Sequence, residues 1–172
     1  MPDASFERFR TKAEAVSAEV HSFPGDAEAM AFIRAFVEGA GGPAVYAPGP
    51  FLEANGGPGP DVEVTQAEAA AAAVGVSEFD WALADTGTLV QDATDPRQRL
   101  VSTLPPIHLA IIRGDRLLPG LGSLLDRVKP ERASYLAFVT GPSRTADIER
   151  VLTIGVHGPA RLVIVHVEGG RA

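Results

Sequence analysis

The sequence predicts an α/β fold with a mainly parallel sheet flanked by helices. Two observations support this prediction: short apolar runs of strand length alternate with helical patterns, and Gly- or Pro-rich segments separate them. The length of 172 residues is sufficient for one domain with a sizeable core. In open sheets of this kind ligands bind outside the carboxyl ends of the strands, so a ligand site is expected in the loops that follow strands.

Two amphipathic helices are predicted in the first forty residues. Along residues 4–21, apolar side chains recur at intervals of three and four: Phe6, Phe9, Ala13, Val16 and Val20. Asp26 is the expected cap of a second helix that runs to Glu38. We therefore expect residues 1–40 to form a helical segment that packs on a domain spanning residues 41–172.

Two short strands, a loop and a helix are predicted next. Residues 44–47 and 61–64 have strand patterns, and the segment 48–60 between them is rich in Gly and Pro, so we expect it to be a mobile loop. Thr65 and Glu68 match the capping box of a helix that continues through the alanine run. This order of elements is typical of a strand followed by a crossover helix.

The central part of the chain contains three further predicted strands and a helix. The strands are expected at residues 80–84, 99–102 and 107–112, and the helix at residues 117–128. His108 lies at the start of the most apolar of these strands. A single histidine in such a run is interpreted as a buried structural residue with one hydrogen-bond partner.

The turn after the strand at 80–84 consists of Asp85, Thr86, Gly87 and Thr88. Asp and Gly are expected in an ordinary β-turn, so the turn by itself has a purely structural explanation. It also places a carboxylate, two hydroxyl groups and open backbone N–H groups at the end of a strand. Both interpretations stay open on the residues alone.

The C-terminal part has the pattern of a βαβ unit with parallel strands. A strand is predicted at 134–139, a Gly-containing loop at 140–145, a helix at 146–152 and a second strand at 161–167. The first N–H groups of a helix lack internal partners and carry the positive end of the helix dipole, so this loop could hold a carboxylate or phosphate. Alternatively, Ser143 or Thr145 only caps the helix and Arg144 is solvated.

Three motifs of this chain resemble the motifs of a known protein family, and they occur in the same order along the chain. Residues 141–149 together with 155–159, residues 84–89 and residues 104–108 resemble signatures of the LUD-domain family, in its lactate utilization protein C group. Family members often have Glu where this chain has Asp85. The resemblance implies a fold similar to that of the NagB/RpiA/CoA-transferase group, in agreement with the α/β pattern.

The resemblance also selects the two polar loops as one predicted ligand site. Both loops follow predicted strands, so we expect them to converge on a single cleft that binds a small anionic ligand. The predicted ligand-binding residues are Asp85, Thr86, Gly87, Thr88, Gly141, Ser143, Arg144, Thr145, Asp147 and His157. No catalytic residue is assigned, and whether the chain itself catalyses a reaction is left open.

The composition excludes several classes of function. The net charge of −7 argues against a nucleic-acid-binding protein, which would have a basic patch. No apolar run is long enough to span a membrane, and the N-terminus lacks the pattern of a secretory signal, so a cytoplasmic location is expected. The four histidines form no zinc-binding pattern, and no metal site is predicted.

The chain contains no cysteine, so it can hold neither a disulfide nor a cysteine-ligated iron–sulfur cluster. The resemblance implies a non-redox subunit, without a cofactor of its own, of a bacterial system that oxidises L-lactate to pyruvate. Iron–sulfur partner subunits would transfer the electrons. Two alternatives stay open: a stand-alone transferase, isomerase or ligase acting on a phosphorylated or CoA-linked small molecule, or an assembly module that contacts partners through its N-terminal helices.

Overall fold

The computed structural model describes residues 4–128, 135–146, 152–155 and 157–168. The helices are α1 (Ala4–Ala15), α2 (Asp26–Gly39), α3 (Pro50–Ala54), α4 (Gln66–Ala71), α5 (Pro96–Thr103) and α6 (Leu121–Leu125), with a 3₁₀ turn at Gly114–Arg116. The strands are β1 (Glu19–Phe23), β2 (Ala44–Tyr46), β3 (Val74–Glu78), β4 (Trp81–Leu83), β5 (Thr88–Asp92), β6 (Ile107–Arg113), β7 (Leu117–Leu118), β8 (Leu136–Val139), β9 (Arg144–Ala146), β10 (Leu152–Ile154) and β11 (Arg161–Val167).

The centre of the fold is a five-stranded parallel sheet, called sheet A. Its strand order is β1-β11-β6-β3-β2, and every neighbouring pair is parallel. Such sheets are covered by helices on both faces, so their central strands are nearly continuous apolar runs. The predicted class, an α/β fold with a mainly parallel sheet and flanking helices, is confirmed.

The two faces of strand β6 belong to two different hydrophobic clusters. Ala110 and Ile112 pack with Phe6 and Phe9 of α1, whereas Leu109 and Ile111 pack with residues of α2 and α3. All of these β6 residues are fully buried. Side chains alternate across a strand, and burying a large aliphatic side chain contributes about 1.5–3 kcal/mol. The single apolar run of β6 therefore joins the two halves of the core.

A second, four-stranded sheet, called sheet B, has the order β7-β4-β5-β8. Strands β4 and β5 form an antiparallel hairpin, and β5 is also antiparallel to β8. Gly87, in the hairpin turn, has a φ of 68°, in the left-handed region that glycine adopts without strain. The turn at residues 85–88 is thus first of all a hairpin turn.

The predicted C-terminal βαβ unit is wrong. Strand β8 lies in sheet B and β11 in sheet A, and β9 pairs with β10 as an antiparallel hairpin. Ala146 and Leu152, the predicted ends of the helix, are strand residues, and residues 147–151 lie outside the described part. A stripe of three apolar residues is too short to distinguish a helix from a strand, and the neighbouring threonines favour a strand.

Three other predicted elements were also wrong. The strand at 99–102 lies in helix α5, because Pro96 occupies its first turn and Asp95 caps it by accepting a hydrogen bond from Arg97 N. The helix at 117–128 is reduced to β7 and α6, and residues 61–64 form no strand. In each case a local turn or cap decided the conformation where the apolar pattern was short.

The N-terminal segment contains a strand that the periodicity did not predict. Helix α1 ends at Ala15, and residues 19–23 form β1, which pairs with β11 along its whole length. The boundary at residue 40 stays a prediction, although this pairing includes the N-terminal segment in sheet A. Helix α2 is confirmed, but Asp26 is its first residue and not its cap; the N-cap is Gly25, which offers no side-chain hydrogen bond. The capping box of Thr65 and Glu68 is confirmed. In the described part of the chain, no helix has the length and apolar character needed to cross a bilayer.

Candidate functional site

A large cleft lies at the carboxyl ends of the parallel strands, and we call it the carboxyl-edge cleft. It has a volume of about 600 Å³. Strand β3 ends in it with Glu78 and strand β6 with Arg113. Because parallel strands all finish at the same edge of a sheet, one edge gathers polar side chains from several distant parts of the sequence.

Helix α3 forms one wall of this cleft. Pro48, Gly49, Pro50, Phe51 and Ala54 line it, so the segment 48–60, predicted only as a loop, contributes a helical turn to the wall. A Cβ at Gly49 would lie 2.7 Å from Glu78 Oε2. Only a residue without a side chain allows the backbone to approach the carboxylate this closely.

Two carboxyl groups lie in the cleft after β3. Glu78 Oε2 accepts a hydrogen bond from Phe51 N at 2.8 Å, and Asp80 Oδ2 accepts one from Asp92 N at 2.7 Å. Burial raises the pKa of Glu78, and the nearby Asp80 raises it further, while the bond from Phe51 and the charge of Arg113 oppose this change. Burial likewise raises the pKa of Asp80; the hydrogen bond from Asp92 N opposes this change, and the negative charge of Asp92 adds to it.

A pair of glutamines connects the two sheets beside these carboxyl groups. Gln91 Nε2 donates to the backbone O of Glu78 at 2.8 Å and to Gln98 Oε1 at 2.6 Å. Gln98 Nε2 in turn donates to Pro48 O at 2.8 Å. Since backbone carbonyls only accept, they determine which way both amides point. Gln91 Oε1 is left buried without a hydrogen-bond partner among the described residues.

The charges of the cleft are unequal. Arg113 lies 3.3 Å from Asp26 and its side chain is 15% exposed, whereas the side chain of Arg116 is 53% exposed. Carboxylates outnumber these two guanidinium groups; they belong to Asp26, Glu78, Asp80, Asp92, Asp95 and Asp115. In the described ranges, no three acidic or histidine side chains are arranged to hold a metal ion. The cleft is therefore acidic and rich in hydrogen-bond acceptors.

A smaller pocket, the amino-edge pocket, lies at the opposite edge of sheet A. Its volume is about 210 Å³, and Gly141, Ser143 and His157 of the predicted site line it together with His108. His108 is buried, with its Nε2 2.8 Å from Ser77 Oγ, and burial lowers its pKa to about 4. This agrees with the structural interpretation of His108.

The loop at residues 140–145 is bound to the protein itself. Ser143 N donates to Pro159 O at 2.8 Å, and the Arg144 guanidinium donates to Val16 O. Gly141 has a φ of 75°, and a Cβ there would collide with the same carbonyl of Val16. Residues 144–146 at the end of this loop form strand β9, so within the described residues the loop does not lead into a helix whose dipole would help to bind an anion.

The turn at residues 85–88 adjoins this loop without sharing the pocket. Thr88 Oγ1 and Thr140 Oγ1 lie 2.8 Å apart, but no residue of the turn is among those lining the amino-edge pocket. Asp85 packs against Gly120, and its Oδ1 is buried without a partner in the described part of the chain. Thr86 is exposed, and Gly87 packs on the backbone of Lys12.

Of the remaining predicted residues, Thr145 lies in β9 and Asp147 lies outside the described residues. The ligand-binding role of the predicted set stays a prediction. Sequence reasoning missed the carboxyl-edge cleft because it did not identify β3. Two apolar runs in the sequence could have indicated it: one contains valines and ends at Glu78, and the other ends at Arg113. A charged residue directly after a buried strand indicates an exposed edge of the sheet.

A family model described as the LUD domain matches residues 53–167. The chain belongs to the LUD domain family. The matched region contains β3, β5 and β6, and with them the side chains of Glu78, Asp80, Gln91 and Arg113. The resemblance inferred from the three sequence motifs is thereby confirmed.

Several curated LUD relatives carry the name lactate utilization protein C. The chain is 38% identical over 112 residues to the one from Exiguobacterium sp. and 33% identical over 100 residues to the one from Bacillus subtilis. These matches cover 60% and 55% of this chain, and 49% and 42% of the relatives. The uncharacterized protein YkgG of Escherichia coli is 33% identical over 111 residues. The chain spans about half the length of the curated relatives it matches.

A solved structure shows the same fold. The crystal structure of a DUF162 family protein from Deinococcus radiodurans superposes with a TM-score of 0.68, covering 95% of this chain and 96% of that chain. The sequence identity is 20%. At this identity the likeness concerns the fold alone.

Proposed function

We propose that this LUD protein acts in lactate utilization, as a lactate utilization protein C-like component of the oxidation of L-lactate to pyruvate. The observation that carries the proposal is the set of curated relatives of that name, at 33–38% identity. The similarity covers 55–60% of the chain. None of the relatives compared above has the name of a transferase, isomerase or ligase, so the stand-alone enzyme is not favoured.

The proposal includes iron–sulfur partner subunits that transfer the electrons. The absence of cysteine supports this division of labour, because no cysteine-ligated cluster can form in this chain. The chain would act without a cofactor of its own, in the cytoplasm. Its contribution would be to bind a small anionic ligand or to hold the partner subunits together.

The amino-edge pocket is the place we propose for that anionic ligand. Gly141, Ser143 and His157 come from two separate loops and line one cavity, in which His157 is exposed. An imidazole N–H and a hydroxyl group can both donate hydrogen bonds to a carboxylate. The cavity of about 210 Å³ has room for an acid of a few carbon atoms.

A deletion strain tests the proposed function. The gene for this chain is removed, and growth and oxygen uptake are measured with L-lactate as the carbon source. We expect both to be lost and both to be restored by expression of the intact protein. Growth on pyruvate is the control, because it bypasses the oxidation of lactate. Unchanged growth and oxygen uptake on L-lactate would refute the proposal.

A second experiment tests the partners. The tagged protein is isolated under anaerobic conditions from cells grown on L-lactate and from cells grown on pyruvate. We expect iron and cysteine-rich proteins to co-purify with it from the lactate-grown cells. Isolation of the chain alone, without iron, from a strain that needs it for growth on lactate would contradict the partner assignment while leaving the lactate role intact.

A further inference from the structure

We infer that the carboxyl-edge cleft binds an uncharged organic molecule that donates hydrogen bonds through neighbouring hydroxyl groups. A nucleoside and a free sugar both have this chemistry. The inference concerns a different cavity from the one proposed for an anion, and it does not depend on the role in lactate utilization.

The first argument is the surplus of hydrogen-bond acceptors. Gln91 is 1% exposed, lines the cleft, and has an Oε1 atom without a partner among the described residues. Leaving a buried acceptor unsatisfied costs about 1–3 kcal/mol. The side chains of Glu78 and Asp80 each make one hydrogen bond in the described part of the protein. A ligand with several O–H groups would satisfy these acceptors together.

The second argument is the charge. Six carboxyl groups and two guanidinium groups line the cleft, and Arg113 is already paired with Asp26. A small anion would meet net repulsion there, and the carboxylate of Glu78 is held in the cleft by its hydrogen bond from Phe51 N. An uncharged molecule avoids this repulsion and still gains hydrogen bonds to carboxylates, which are stronger than those to neutral acceptors.

The third argument is the size and the apolar wall. A volume of about 600 Å³ lies within the range of sites for ligands much larger than a three-carbon acid. Pro48 and Pro50, with the nearly fully buried Phe51 and Phe79, add apolar residues to the lining. A molecule that combines a flat or apolar part with a diol matches this mixed lining, and a nucleoside has this form.

Binding to the purified protein tests the inference. Adenosine, uridine and D-ribose are titrated by calorimetry, and L-lactate and inorganic phosphate are titrated in parallel. We expect at least one of the three uncharged compounds to bind and to raise the melting temperature by mass action. Binding of ribose alone would identify a sugar site, and binding of a nucleoside without ribose would show that the apolar wall is needed. If none of the uncharged compounds binds at millimolar concentration, the inference is overturned.

Three variants locate the binding site. Glu78→Gln and Asp80→Asn preserve the shape of the side chains and should weaken binding about tenfold or more, the effect of losing a hydrogen bond to a charged group. Glu53→Gln is the matched control, since Glu53 is an exposed carboxylate of α3 that does not line the cleft. We expect the control to bind as the wild type does. Wild-type affinity in both cleft variants would exclude the cleft as the site.

Stability measurements separate a binding role from a structural one. If Glu78 and Asp80 serve a ligand, their replacement should leave the melting temperature of the ligand-free protein unchanged or higher, because buried carboxylates are costly without a ligand. A fall in melting temperature that accompanies the loss of affinity would assign these residues to the fold and overturn their binding role.

Discussion

Gln91 holds the end of strand β3 through the backbone of Glu78. Its Nε2 donates to Glu78 O at 2.8 Å, while the side chain of the same glutamate accepts a hydrogen bond from Phe51 N. Strand β3 belongs to sheet A and β5, which carries Gln91, to sheet B. One buried amide thus fixes the edge of the parallel sheet against the second sheet, with α3 on the other side.

The Glu78→Gln variant should be more stable than the wild type near neutral pH and equal to it in acid. Burial raises the pKa of Glu78, so the folded protein keeps this proton to a higher pH than the unfolded chain, whose pKa is about 4.3. The free energy of unfolding therefore falls as the pH rises through the folded-state pKa, and glutamine removes that loss.

Urea unfolding of both proteins near pH 4 and near pH 7.5 checks this prediction. The difference between variant and wild type isolates Glu78 from the other acidic groups of the cleft. An equal difference at the two pH values would contradict it. Glu53→Gln, at an exposed position of α3, is the control for removing a carboxylate outside the cleft.

His108 should make the protein sensitive to acid. Burial lowers its pKa to about 4, below the value of about 6.5 in an unfolded chain. The contribution of neutral His108 to the free energy of unfolding is therefore fully present above about pH 6.5. It decreases as the pH falls towards 4, with a total loss of about 3 kcal/mol. His108→Gln should lower stability at neutral pH but flatten this dependence, and His157→Gln, which removes an exposed histidine, is the comparison variant.

Gly87→Ala should destabilise the protein strongly. Gly87 has a φ of 68°, and a Cβ there would lie 2.6 Å from the backbone carbonyl carbon of Lys12. The left-handed conformation alone costs an alanine about 1–2 kcal/mol, and the collision adds to it. Gly39→Ala is the matched control, because a Cβ at Gly39 meets nothing within 4 Å. Thermal unfolding of the two variants gives the comparison; equal melting temperatures would contradict the geometry of the hairpin turn.

Arg144→Ala distinguishes a ligand anchor from a structural residue. The Arg144 guanidinium donates to Val16 O, an exposed hydrogen bond that should contribute about 1 kcal/mol or less. If Arg144 also binds the anionic ligand, growth on L-lactate should fall in a deletion strain that expresses the variant, with only a small change in melting temperature. Normal growth would leave Arg144 with its structural role alone. Arg10→Ala, at an exposed ion pair of α1, is the control.

Elements with complete local signals were predictable from the sequence. Thr65 and Glu68 satisfy each other and the first turn of α4, and the stripe of Met30 and Ile33 defines the buried face of α2. These signals act within one or two helical turns. The family motifs added the C-terminal half, although Ala146 and Leu152, the predicted ends of a helix, are strand residues that pair with each other in β9 and β10.

The sequence by itself determined the α/β class, the family and the lack of any cysteine-bound redox centre, because periodicity, motif order and composition need no spatial information. Only the tertiary structure decided which polar residues lie together in the carboxyl-edge cleft. Glu78, Gln91 and Arg113 are separated by 13 or more positions, and they share a cleft since β3 and β6 end at one edge and Gln91 of β5 donates a hydrogen bond to Glu78 O. Contacts between such distant residues depend on the order of the strands and on the packing of the two sheets, which the local sequence does not indicate.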